Sequence, residues 1–213
     1  MDDFFRRAIL FAPIIIFSLT VHEFFHAWTA NKFGDPTAKD MGRLTLNPLK
    51  HLDVMGTMMF FVTQFRFGWA KPVPVNPYNL RNYRHDNLWI SAAGPLSNLG
   101  LAVIFGTIFR IGNSMGLIGI YDAVDLMLFY AILINVSLAL FNLLPIFPLD
   151  GSHILKSLLP ERFTPMLQQV EKVAPMILMV VIFLGLITGR SIIWVVLGPF
   201  ISLIVKLVSG INF

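Results

Sequence analysis

AILFAPIIIFSLTVHEFFH, residues 8–26, is the stretch that decides how this chain folds. Its first part, residues 8–21, carries no charge, and a helix that rises about 1.5 Å per residue would descend roughly 20 Å over it. That depth is about two-thirds of a hydrocarbon core about 30 Å thick. His22, Glu23 and His26 follow at this depth, where ionisable groups are expensive to bury and usually serve a function.

The end of this stretch has the spacing of a metal site. Side chains four positions apart lie on one face of a helix, so His22 and His26 can bind one ion. Glu23, beside the first histidine, can take a proton from a water molecule on that ion. The pattern is short, with a chance probability on the order of one in a hundred for a chain of this length. A polar helix face that lines a water-filled cavity and a chance motif in a transporter are the alternative interpretations.

The composition indicates an integral membrane protein rather than a soluble domain. Hydrophobic residues make up 56% of the 213 residues, charged residues make up 13%, and the mean hydropathy is +0.72. Because cysteine is absent, a metal would have to be bound by histidine and carboxylate groups. The net charge of +4 comes from basic residues between the apolar runs, which favours orientation in a lipid bilayer over nucleic-acid binding. No small-residue cleavage site follows the first apolar run, so no cleavable signal peptide is expected.

The apolar runs predict an all-α integral membrane protein with one polytopic domain over residues 1–213. A sixth run, residues 54–65, is too short to span and predicts a re-entrant or interfacial segment. The five predicted membrane helices are residues 4–30, 88–109, 126–147, 173–188 and 191–208.

Basic residues predict the orientation of these helices. Many of them lie between Lys32 and Arg84, on both sides of the short run, which places both flanks on the cytoplasmic side. The helix over residues 4–30 then runs inward and the helix over residues 126–147 returns to the same side. Asp150 therefore arrives at the membrane face where the two histidines lie. If the short run crossed the membrane, Asp150 would emerge on the opposite face.

A catalytic zinc ion needs a third protein ligand and an open position for water. Asp150 is the predicted ligand, because Pro145 and Pro148 interrupt the helix before it and Gly151 permits a tight turn after it. Four other residues could compete with Asp150 as the third ligand. His51 and Asp53 are predicted to lie in a polar interfacial turn, and His85 and His153 are predicted to be solvated.

Three motifs in this order resemble the site-2 proteases, which are intramembrane zinc metalloproteases. They are HEFFH at residues 22–26, GPLSN at residues 94–98 and NLLPIFPLDG at residues 142–151. The last departs from the family pattern N-x-x-P-x-P-x-x-D-G, because its second proline is Pro148 instead of a proline at position 147. The chain resembles the short members of the family, which lack PDZ and CBS domains.

The resemblance implies a role for each motif residue. One zinc ion per chain would be held by His22, His26 and Asp150, with Glu23 as the general base and Asn142 assisting substrate or oxyanion binding. The implied activity is cleavage of transmembrane proteins or peptides within or near their membrane segments, from the cytoplasmic side of a prokaryotic cell membrane. The alternatives are a divalent-cation transporter or metal-binding membrane scaffold, and an inactive relative that binds membrane partners. The substrate, its cleavage site, the pathway, the gating and the oligomeric state are left open.

FGWAKPVPVNP, residues 67–77, predicts how a substrate is presented. Prolines at alternate positions leave hydrogen-bond donors on one edge only, so residues 69–76 are predicted to form an edge strand for an unwound substrate. Residues 42–47 are expected to pair with it as a small sheet near the active site. A surface loop with polyproline character is the alternative. Gly94, Ser97 and Gly100 predict close helix packing, and Asn98 an interhelical hydrogen bond.

Overall fold

The computed structural model of the chain describes residues 2–63, 67–116 and 123–211. These residues form α-helices joined by turns, numbered here in chain order. The bounds are Asp2–Lys32 (α1), Thr37–Asp40 (α2), Val54–Val62 (α3), Tyr83–Ser114 (α4), Ala123–Asn142 (α5), Asp150–Leu158 (α6), Thr164–Thr188 (α7) and Ile192–Ser209 (α8).

Five segments among the described residues are long and apolar enough to cross a membrane. This confirms the predicted all-α integral membrane protein. The five segments are Ile9–Lys32, Tyr83–Ser114, Ala123–Asn142, Glu161–Thr188 and Ile192–Ser209.

Several helix boundaries differ from the predicted ones; α4, for example, runs over Tyr83–Ser114 instead of residues 88–109. α5 ends at Asn142 instead of residue 147, because the chain turns before it reaches Pro145. α7 begins at Thr164 instead of residue 173, and so includes the charged residues Glu171 and Lys172. One of these, Glu171, accepts a hydrogen bond from Lys156 of α6 at 3.1 Å, so the helix carries the carboxylate as half of an ion pair.

α4 is the central helix and packs against α1, α5, α6 and α8. Phe109 on α4, Ile132 on α5 and Val205 on α8 are almost completely buried in the core between these helices. Gly106 permits the close approach of α4 and α8, because a Cβ atom there would lie 2.2 Å from a Val208 methyl carbon. In a membrane such contacts stabilise by close packing, since lipid is as apolar as the side chains it replaces.

α8 runs in the same direction as α4. The side chain of Arg110, near the end of α4, donates a hydrogen bond to the carbonyl of Leu207, near the end of α8. α8 therefore begins at the end of the bundle where α4 begins. α6 also ends there, because the Arg84 guanidinium donates to the Ser157 carbonyl at 3.3 Å.

The short apolar run forms α3, which is too short to cross a hydrocarbon core. Its first turn is capped by Asp53, whose carboxylate accepts a hydrogen bond from Gly56 N at 2.8 Å. Residues 64–66, which include the end of the predicted run, lie outside the described residues. A dip of α3 into the bilayer stays a prediction.

The predicted sheet between residues 42–47 and 67–77 is wrong. The described residues contain no strand, only an isolated antiparallel bridge between Leu52 and Ala70. Proline lacks the N–H that a ladder needs, and a side chain joins the two segments instead. The buried Arg43 guanidinium donates to the carbonyl of Lys71 at 2.6 Å.

Candidate metal centre

Three side chains from two distant parts of the chain converge between α1 and α6. His22 and His26 lie on one face of α1 with their Nε2 atoms 3.0 Å apart. Asp150 is the first residue of α6, and its Oδ2 and Oδ1 atoms lie 3.2 Å from His22 Nε2 and 3.4 Å from His26 Nε2. One ligand atom of each residue lies within 4.8 Å of the others. The structure thus brings together the three predicted ligands.

The turn between α5 and α6 delivers Asp150 to this position. Leu149 N donates to the Ile146 carbonyl at 2.9 Å, which closes the turn before α6 begins. Gly151 then lies against the end of α5, since a Cβ atom there would be 2.2 Å from the Leu143 carbonyl oxygen. A carboxylate in the first turn of a helix is also favoured by the positive end of the helix dipole.

Gly94 on α4 leaves room for both imidazoles. A Cβ atom at this position would lie 2.3 Å from His26 Nε2 and 2.6 Å from His22 Nε2. The predicted close packing at Gly94 is therefore confirmed, with the metal-site histidines as its partners. The same prediction is wrong for Gly100, where a Cβ atom would meet nothing within 4 Å among the described residues.

The group has the chemistry of a divalent-cation site. His26 Nδ1 lies 2.7 Å from the Ile90 carbonyl oxygen, which only accepts, so this nitrogen carries the hydrogen and Nε2 offers its lone pair. Asp150 Oδ2 is buried without a hydrogen-bond partner among the described residues. Two imidazole nitrogens and a carboxylate suit zinc, with one tetrahedral position left for water.

Glu23 lies beside the ligands and is 8% exposed. Its Oε2 atom accepts a hydrogen bond at 3.0 Å from the backbone N–H of Val73. Residues 71–76, here called the strap, therefore lie over the predicted general base. Lys71 N also donates to the His51 carbonyl at 2.8 Å, and Arg43 donates to the Lys71 carbonyl, so the strap is fixed at its Lys71 end.

Asp35 holds the far end of the strap and was not predicted from the sequence. It is 0% exposed and accepts hydrogen bonds from Asn76 N at 2.7 Å, Asn79 Nδ2 at 2.9 Å and Thr37 N at 3.1 Å. Burial alone would raise the pKa of Asp35, but the hydrogen bonds from Thr37, Asn79 and Asn76 outweigh it and hold this pKa below its usual value. An aspartate followed by Pro36 and Thr37 is a turn signal, but it does not name its distant partners.

Asn142 is not in hydrogen-bond contact with the metal group among the described residues. Its Nδ2 atom donates to the Leu138 carbonyl of its own helix at 3.0 Å. An amide NH2 group has two hydrogens, so one remains for another acceptor. The catalytic role of Asn142 stays a prediction.

The competing groups lie outside the metal group that the described residues form. His51 is buried, with Nε2 2.8 Å from the Thr45 carbonyl, and Asp53 caps α3. His85 pairs with Asp86, its Nδ1 atom lying 3.1 Å from Oδ1. His153 packs edge-on against Phe147, and its burial lowers the pKa of the imidazole.

Comparisons with known proteins agree with this site. The model of Peptidase family M50 matches residues 109–185, which include Asp150. YwhC of Bacillus subtilis is 38% identical over 99% of this chain and 98% of its own length. Rip2 of Mycolicibacterium smegmatis is 32% identical over 64% of this chain and 52% of its own length, and MJ0611 of Methanocaldococcus jannaschii is 36% identical over 47% and 51%. All three are named as candidate zinc metalloproteases. No solved structure matches this chain at a significant level.

Proposed function

Because this chain belongs to Peptidase family M50, the site-2 protease family, we propose that it cleaves membrane proteins within or near their transmembrane segments. It is an integral membrane metalloprotease, with helices long and apolar enough to cross a bilayer. The convergence of His22, His26 and Asp150 beside Glu23, inside this bundle, is the observation that carries the proposal.

The proposed roles follow from the chemistry of the side chains. His22, His26 and Asp150 hold the metal through two neutral nitrogens and one carboxylate. A zinc ion held there would supply Lewis acidity, which polarises a peptide carbonyl and acidifies a bound water. Glu23 takes the proton of that water and delivers it to the leaving amine. Asn142 uses its second amide hydrogen to stabilise the negative charge that develops on the carbonyl oxygen.

The strap supports a specific way of presenting the substrate. A helical substrate has its peptide groups sealed in hydrogen bonds, so it must unwind before cleavage. In an extended segment the N–H groups of alternate residues point to one edge, here those of Lys71, Val73 and Val75. Lys71 and Val73 already donate within the chain, whereas Val75 N–H has no partner among the described residues. We place the unwound substrate along the strap at Val75, two residues beyond the Val73 N–H that binds Glu23.

The site is proposed to face the cytoplasm. The basic residues from Lys32 to Arg84 lie between the last turn of α1 and the first turn of α4, and those from Lys156 to Lys172 lie between α6 and the first half of α7. The chain has no cysteine, so a single introduced cysteine shows on which side of the membrane its position lies. In intact cells an impermeant maleimide should label Ser114→Cys, at the far end of α4, and leave Lys39→Cys unlabelled. The reverse pattern would place the active site on the outer face.

The activity is tested with purified protein in lipid nanodiscs, a zinc supply and a transmembrane peptide that carries helix-breaking residues near one end. The parent protein should cut this peptide, and Glu23→Gln should bind one zinc ion per chain without cutting it. Zinc flux across proteoliposomes is measured with the same two proteins. Zinc flux that survives Glu23→Gln, with no peptide cleavage by the parent, would establish the transporter interpretation instead.

Substrates are identified by comparing membrane proteomes of cells that carry the parent and the Glu23→Gln protein. Fragments that end within a membrane segment should disappear in the variant while their intact precursors accumulate. Equal fragment patterns would contradict proteolysis of membrane segments in the cell.

A further inference from the structure

A polar network joins α1, α4 and α5 next to the metal group. Its members Ser18, Asn98 and Asn135 are each 0% exposed, although the helices around them are strongly apolar. Asn98 Oδ1 lies 2.7 Å from His22 Nδ1, the ring nitrogen on the far side from the metal group. Buried polar groups in a membrane helix bundle are costly unless each has a partner. In this network the hydrogen bonds lead to His22, one of the three proposed metal ligands.

The hydrogen-bond directions in this network can be worked out from one fixed acceptor. Asn135 Nδ2 lies 2.8 Å from the Ala131 carbonyl oxygen, which cannot donate, so the Asn135 amide has only one possible orientation. Its Oδ1 atom then faces Asn98 and accepts from Asn98 Nδ2 at 3.0 Å. Asn98 Nδ2 also donates to the Ser18 carbonyl at 3.3 Å. Both hydrogens of the Asn98 amide are therefore used.

The orientation of Asn98 determines the tautomer of His22. With both Nδ2 hydrogens committed, Asn98 presents Oδ1 to the imidazole, and an amide oxygen only accepts. His22 Nδ1 must then carry the ring hydrogen, and Nε2 keeps the lone pair that faces His26 and Asp150. His26 has the same tautomer, which a single acceptor fixes directly: the Ile90 carbonyl next to its Nδ1 atom.

We propose that Asn98 and Asn135 are positioning residues for the metal ligand His22. Asn98 holds the ring in the metal-binding tautomer and rotation, and Asn135 holds the Asn98 amide in the orientation that makes this possible. Groups that orient a metal ligand in this way typically contribute 10–100-fold to metal affinity. The proposal rests on the proposed metal site.

The test measures Zn²⁺ and Co²⁺ affinity of metal-free protein in detergent, by competition with a chelator, together with thermal unfolding of the metal-free form. Asn98→Ala should weaken metal binding about 10–100-fold. Asn135→Ala should weaken it less, because Asn98 keeps its contact with the Ser18 carbonyl. Asn87→Ala is the matched control, since Asn87 on the same helix donates an interhelical hydrogen bond to Ser157 Oγ at 3.0 Å. This control should bind metal like the parent.

Asn98→Asp separates positioning from a purely structural role. The carboxyl group still accepts from His22 Nδ1 but lacks the NH2 donors to Asn135 and Ser18. Positioning predicts metal affinity within a few-fold of the parent, a tetrahedral Co²⁺ spectrum and a lower unfolding temperature. A structural role predicts that Asp weakens binding at least as much as Ala, and that result would overturn the proposal. Parent affinity in Asn98→Ala would overturn it too. Failure of the parent to bind metal would instead refute the metal site itself.

Discussion

The backbone N–H of Val73 donates a hydrogen bond to Glu23 Oε2 at 3.0 Å, so the strap holds the carboxylate that lies next to the metal ligands. A hydrogen bond to a charged group contributes about 1.5–3 kcal/mol, because the charge strengthens it. Glu23 is 8% exposed, and water can replace this donor only in part. The contact therefore fixes the position from which Glu23 takes a proton.

Val73→Pro removes this donor, since proline has no N–H. We expect kcat for peptide cleavage to fall about 10–150-fold, the range that 1.5–3 kcal/mol corresponds to, while zinc stoichiometry stays at one. Val73→Ala keeps the N–H and is the control, with a kcat within about two-fold of the parent. Equal kcat values for the Pro and Ala variants would show that the hydrogen bond does not position Glu23.

Gly94→Ala should abolish metal binding. The added methyl carbon would lie 2.3 Å from His26 Nε2, so the imidazole or the α4 backbone must move. Gly100→Ala adds the same methyl group to the same helix at a position with nothing within 4 Å among the described residues. The Gly100 variant should bind one zinc ion per chain, as measured by metal analysis after gel filtration. Stoichiometric zinc in Gly94→Ala would contradict the tight packing of α4 against the two histidines.

Much of the site could be predicted from the sequence because its chemistry is local. The spacing of His22 and His26 depends only on helix geometry, and Asp150 follows from the order of apolar runs and basic loops. The five long apolar helices follow from their length and composition in the same way. These features need no knowledge of which side chains touch.

The contacts that hold the site could not be predicted, because they join residues far apart in the sequence. Asp35 and Asn76 bond through a turn and an extended segment that carry no shared pattern. In the sequence, Arg43 looks like any other basic residue near a membrane. Its side chain in fact joins the two segments that were expected to pair as a sheet, by a hydrogen bond to the Lys71 carbonyl. Close packing at Gly94 was predicted, but its partners, the two histidines, depend on the rotation of α4 about its axis, which periodicity alone leaves undetermined.

Asp35 should make the stability of the protein depend on pH. Its folded-state pKa is lower than its pKa in the unfolded chain, because burial is outweighed by hydrogen bonds from Thr37, Asn79 and Asn76. The stabilisation is therefore present above the unfolded pKa of about 3.9 and is lost as the pH falls through the lower folded value. Asp35→Asn should lower the free energy of unfolding by about 1–3 kcal/mol at pH 7.

The measurement is thermal unfolding of the metal-free protein in detergent between pH 7 and pH 3, for the parent and the variant. The difference between the two unfolding temperatures should begin to shrink at about pH 3.9, because the Asp35 carboxylate of the unfolded chain takes up a proton at a higher pH than that of the folded protein. Asp40→Asn alters an exposed carboxylate just beyond the same turn and should track the parent throughout. A constant difference for Asp35→Asn over this range would mean that the charge of Asp35 does not stabilise the strap.

Asn142→Ala tests the oxyanion role that the described contacts leave as a prediction. The Asn142 Nδ2 atom gives one hydrogen to Leu138, and the other is expected to face the substrate only during cleavage. Loss of an oxyanion donor typically costs about 10²–10³-fold in kcat with little change in KM, and zinc binding should be unaffected. Thr107→Ala is the control, because Thr107 Oγ1 makes the same kind of bond to a carbonyl four residues back, at 2.8 Å to Val103. A drop in kcat no larger than that of the control would show that Asn142 serves only the structure at the end of α5 and has no oxyanion role.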